Sequence, residues 1–114
     1  MKLGQLYGRL YFIDGESITL AEERLEEAIS ISPTNQQGYW NLAQVKIFKR
    51  DYETALELAK KAIELNPKVF NGQSIAIQIA NAMGKIEERD KLIEEALKID
   101  ESWITDINQI IQPK

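Results

Sequence analysis

The chain contains neither cysteine nor histidine. Without cysteine there can be no disulfide and no thiolate metal site. Without histidine the commonest general base and the commonest zinc ligand are both missing. Catalysis would then rest on carboxylates, lysines or tyrosines. The sequence lacks a glycine-rich phosphate loop and an EF-hand spacing. No run of about 20 apolar residues is present, so no membrane span is expected. The opening MKLGQLYGRLYFIDG is interrupted by Gln5 and Arg9 and does not read as a signal peptide. Basic surface is scarce: the net charge is -4 and the pI about 4.9, which argues against broad nucleic-acid binding. The acid pairs Glu22/Glu26, Glu23/Glu27 and Glu87/Asp90 have helical spacing but lie beside lysines and arginines. They read as solvated helix faces, not as a pocket that sets two pKa values apart. The expectation is therefore a non-enzyme with no cofactor and no metal.

What the sequence does have is a period. Hydrophobic residues make up 44% and charged residues 28% of 114 positions, enough for one globular domain with a modest core. Pro33 and Pro67 stand 34 apart, as do Ala21 and Ala55. Ala28, Ala62 and Ala96 take that step twice, and so do Ile18, Tyr52, Ile86 and Leu25, Ala59, Ile93. Each unit reads as two helices. Leu25, Ala28 and Ile29 make one apolar stripe, and Leu56, Leu58, Ala59 and Ile63 another. Ser32–Pro33 and Asn66–Pro67 end the second helices. Gly15, Arg50–Asp51 and Gly84 mark turns between helices. Thr34-x-x-Gln37 and Thr19-x-x-Glu22 fit capping boxes.

The middle unit resembles the tetratricopeptide repeat family. Tyr39, Leu42 and Ala43 stand where that family places an aromatic, a leucine and a small residue. Tyr52, Ala55, Ala59, Ala62 and Pro67 match its second-helix signature. Lys46 replaces an expected aromatic, Arg89 an expected alanine and Glu101 an expected proline. In the first unit Gly8, Tyr11 and Gly15 match one register, while Ala21, Ala28 and Pro33 match one residue later; an insertion near Ser17–Ile18 reconciles them. The resemblance implies an all-α, right-handed superhelical array of about three helix-turn-helix repeats, roughly 2–35, 36–69 and 70–101. The segment 102–111, with Trp103, Ile107, Ile110 and Ile111 on one stripe, reads as a capping helix. The chain starts directly in a repeat helix, as expected of a fragment of a larger protein.

Charge is unevenly shared. The first-helix segments (1–14, 36–50, 69–85) carry a net +5 and the remainder -9, and residues 69–84 carry no charge. First helices line the concave side in this family, so the resemblance implies an acidic back and a neutral-to-basic groove. Helix-end preferences account for part of the segregation.

The groove is the candidate binding site. Gln37, Trp40, Asn41, Gln44 and Phe48 fall on one helical stripe, and the resemblance places them on the open side. It places Asn71, Ser74, Ile75 and Gln78 there in the third unit, with Asn81 further along, and Gln5 and Arg9 in the first. Amides can pair with both the N–H and the C=O of an extended peptide, and Trp40 and Phe48 can hold an apolar side chain. Some relatives grip a C-terminal carboxylate with basic residues; here Asn71 and Ile75 stand at the basic positions, so no such clamp is expected. The expected function is a protein-interaction module taking a peptide or helix of a partner, without nucleic acid and without membrane insertion by this segment. Alternatives are an oligomerisation domain that self-associates through its isoleucine-rich end, or an accessory domain of a larger enzyme. The latter rests on analogy with arrays appended to bacterial membrane glycosyltransferases and polysaccharide polymerases. The expected setting is a soluble domain, cytoplasmic or attached to a membrane protein.

Overall fold

The computed structural model describes residues 15–112. The helix expected over 1–14 lies outside the described residues. Six α-helices follow one another: α1 (Gly15–Ile31), α2 (Gln36–Phe48), α3 (Tyr52–Leu65), α4 (Phe70–Ala82), α5 (Ile86–Ile99) and α6 (Ile104–Ile111). A 3-10 turn, Glu101–Trp103, leads into α6. The described residues are thus all-helical, as the repeat pattern implies.

The 34-residue period is reproduced in the helix boundaries. α2, α4 and α6 start at residues 36, 70 and 104, and α3 and α5 start at 52 and 86. The turns repeat as well. Arg50 (φ 66°) and Gly84 (φ 74°) take the left-handed conformation after α2 and α4. Behind them, Asp51 N–H donates to Lys46 C=O at 2.8 Å and Lys85 N–H to Ala80 C=O at 2.9 Å. Both bonds satisfy carbonyls that the helix end leaves open. Between units, Asn66 and Asp100 each accept a backbone bond from two residues on, at 3.2 and 2.9 Å.

Two capping assignments need correction. The N-cap of α2 is Asn35, whose side chain accepts from Gln37 N–H at 3.1 Å; Thr34 is one residue too early. Thr19 lies inside α1, which begins at Gly15, so it opens no helix. In both places a Thr-x-x-Glu/Gln match occurs one or more residues from the true start.

Small residues set the packing. Ala43, Ala55, Ala59 and Ala62 are fully buried, which lets α2, α3 and α4 approach closely. Gly38 and Gly72 serve the same end. A Cβ at Gly72 would sit 3.1 Å from Ile63 Cγ1, and one at Gly38 would sit 3.2 Å from Ile29 Cγ1. Among the described residues, Ile77, Ile79 and Ile107 are the largest fully buried side chains. The first helices form one layer, with α2 against α4 and α4 against α6. On the other side α3 and α5 leave a cleft of about 530 Å³, floored by Ile63 and Leu92 and crossed by a Lys60–Glu88 ion pair. The Lys60 ammonium holds the Glu88 carboxyl below the usual carboxylate range.

Candidate peptide-binding groove

The described positions expected to line a groove lie on the first-helix layer, at α2 and α4. On α2, Gln37 is exposed, while Trp40, Asn41, Gln44 and Phe48 are half-buried. Trp40 packs one face against the edge of the core. On α4, Asn71 and Gln78 are exposed and Ser74 is half-buried. Gln78 Nε2 donates to Ser74 Oγ at 3.2 Å, one turn apart on the same face. Gln5 and Arg9 lie outside the described residues.

Ile75 departs from the expected site. It is 6% exposed and belongs to the core cluster. α4 lies between α2 and α6, and an aliphatic side chain at this register is drawn into that contact. Ile75 therefore belongs under the groove and offers no open surface to a ligand. Asn81 is also engaged: its Oδ1 accepts from Arg89 Nη1 at 2.9 Å. Arg89 stands where the middle unit has fully buried Ala55.

Several cations near this face pair with acids among the described residues. Glu22 on α1 is only 9% exposed, although its acid-pair spacing suggested a solvated face. Its carboxylate accepts from Lys46 Nζ, and from Lys49 Nζ at 2.8 Å. The Lys46 bond, then the Lys49 bond, holds the Glu22 carboxyl below the usual carboxylate range, and Glu22 in turn raises the Lys46 ammonium. Two of the cations counted on the first-helix segments are thus drawn toward the preceding helix. Lys85 approaches Glu53 at 4.0 Å, and Arg89 pairs with Asp90 at 2.9 Å. The pairing across helices has no signature in a one-dimensional charge count.

A further strip shares this register. α6 starts 34 residues after α4, which gives Thr105, Asn108, Gln109 and Gln112 the registers of Asn71, Ser74, Ile75 and Gln78. All four are exposed. The signal was the period itself, carried one step past Asp100. Among the described residues no group of three metal-ligating side chains is found, and no helix is long and apolar enough to cross a membrane.

With the geometry in place, the comparison with known sequences is direct. A tetratricopeptide repeat profile matches residues 36–69, the unit made by α2, α3 and the turn that follows. The chain belongs to the tetratricopeptide repeat family. It is 33% identical over 81 residues to small glutamine-rich tetratricopeptide repeat-containing protein 2 of Saccharomyces cerevisiae, covering 71% of this chain and 23% of that protein. It is 36% identical over 75 residues to the STIP1 homolog of Dictyostelium discoideum, covering 66% of this chain and 13% of that protein. The chain therefore spans less than a quarter of either relative. The matched tetratricopeptide repeat is also the one that holds Trp40.

Proposed function

We propose that this tetratricopeptide chain is a protein-interaction module that holds a peptide or helix of a partner across α2 and α4. The observation that carries this reading is Trp40. It is a large aromatic, fixed on one side by the core and open on the other, with Asn41 and Gln44 beside it. Such a side chain offers much contact area at small entropic cost. The neighbouring amides supply donors and acceptors for a partner's backbone.

The test uses a Trp103→Phe background, in which Trp40 is the remaining tryptophan. Peptides selected from a random library against the whole chain should shift its emission. Trp40→Ala should weaken their binding by about tenfold or more. If no selected peptide perturbs Trp40 and none is lost on Trp40→Ala, the groove is not the binding site. A second reading, self-association, draws on Ile99 and Ile104, each 42% exposed near the C-terminal end. A constant monomer mass by light scattering across a dilution series would remove it.

A further inference from the structure

The register of α6 carries the groove further than the two helices considered so far. We infer that α6 supplies a third strip of the same face, through Thr105, Asn108, Gln109 and Gln112, and that the occupant is an extended peptide segment without net charge. This rests on the groove reading above.

Ile107 fixes the rotation of α6. It is fully buried, and it stands 34 residues after Gln73 and 68 after Tyr39, which are buried on α4 and α2. At about 100° per residue, Thr105, Asn108, Gln109 and Gln112 point roughly 100–200° away from Ile107. Asn71, Ser74 and Gln78 stand in that relation to Gln73, and Gln37, Trp40, Asn41 and Gln44 in that relation to Tyr39. Since α2 packs on α4 and α4 on α6, the three strips form one continuous surface. At usual helix spacing it is about 20 Å across, the length of roughly six extended residues.

The surface is rich in amides and poor in charge. Residues 69–84 hold no ionisable side chain. Asp106 is the single charge on α6, and it borders the strip, about 60° around the helix from Gln109. Lys46 and Lys49 are committed to Glu22, and Arg89 to Asp90 and Asn81. Amides match the alternating N–H and C=O groups of an extended strand, whereas a charged side chain laid on this surface would lose water without gaining a counterion. Neutral segments are favoured on that ground alone.

The experiment pans a random dodecamer phage library over the intact chain, then measures the enriched peptides by fluorescence polarisation. Enriched sequences should be near-neutral, with a Kd that moves less than about twofold between low and high salt. The double variant Asn108→Ala/Gln109→Ala should raise Kd about fivefold or more, with helicity by circular dichroism unchanged. The side-chain amide resonances of Asn108 and Gln109 should shift on titration. If Trp40→Ala abolishes binding while the α6 variant leaves Kd unchanged and those resonances stay still, the extension fails and the groove reading stands. Strongly charged, salt-sensitive binders would overturn the neutral occupant. Failure to enrich any peptide, or binding indifferent to both Trp40 and α6, would overturn both.

Discussion

Gln73 stands 34 residues after Tyr39 and makes the same bond. The Tyr39 hydroxyl donates to the Pro33 carbonyl at 2.8 Å, and the Gln73 amide donates to the Pro67 carbonyl. A phenol and a carboxamide thus perform one structural task, that of tying the first helix of a unit to the proline that precedes it. The substitution leaves a residue of imperfection. Gln73 is 2% exposed and its Oε1 has no partner. Tyr39→Phe removes a donor and returns nothing, and is expected to cost about 1 kcal/mol in urea unfolding. Gln73→Leu loses a bond but also removes the unpaired oxygen, so it should cost less than Tyr39→Phe.

Arg50 and Gly84 close α2 and α4 with the same backbone turn, at φ 66° and 74°. Glycine adopts that conformation freely and arginine does not. Arg50→Gly is therefore expected to raise stability by up to about 1 kcal/mol, and Gly84→Ala to lower it by about 1 kcal/mol. Opposite signs in matched thermal melts would support the turn; a loss in both would contradict it.

Gly72 and Gly38 both sit under an isoleucine, but not equally. At Gly72 an added methyl would meet the Ile63 backbone nitrogen at 3.3 Å as well as its side chain. At Gly38 the methyl would meet only a side-chain carbon. Gly72→Ala is expected to cost about 1–3 kcal/mol through overpacking. For Gly38→Ala the rotamer shift is offset by better helix propensity, about 1 kcal/mol, leaving a change near zero. Denaturant midpoints of the two variants decide this.

The Glu22 carboxylate is held low by Lys46 and Lys49. A carboxyl with a depressed folded-state pKa stabilises the fold above its unfolded value, about 4.3. That contribution is lost as pH falls through the lower, folded value. Glu22→Gln should therefore be less stable than the parent near neutrality, by about 1.5–3 kcal/mol, the usual worth of hydrogen bonds to a charged group. The gap should narrow steadily below about pH 4.3. A pH-independent gap would mean that the amide fails for reasons of packing and not of charge.

Much of the architecture was legible because a repeat writes its register many times. Pro33 and Pro67 announced the ends of α1 and α3, and Gly84 the end of α4. The spacing of alanines located the close contacts. Local chemistry was less certain: Thr34 and Asn35 can both cap, and the choice depends on where the turn leaves the chain. What stayed hidden was contact between helices. Nothing in the spacing of Glu22 says that Lys46 and Lys49 will reach across to it, and Ile75 looked like a groove wall until α6 was placed beside α4. The segment after Asp100 is too short for a whole repeat, yet its helix start at Ile104 continues the first-helix phase. The stripe of Gln37, Trp40, Asn41 and Gln44 was legible as a face because its members recur at helical spacing.

The stepwise helix starts also bear on how the molecule comes apart. Helices meet chiefly those one or two places along the chain, so no contact has to wait for distant segments to find each other, and folding is expected to be fast for this size. Order can spread from the α2–α4 region outward and be lost from the ends inward. If α6 frays first, the strip that it contributes would come and go while Trp40 stays in place. The length of the recognition surface would then vary with temperature, and a long peptide would hold the end of the array closed by binding to it.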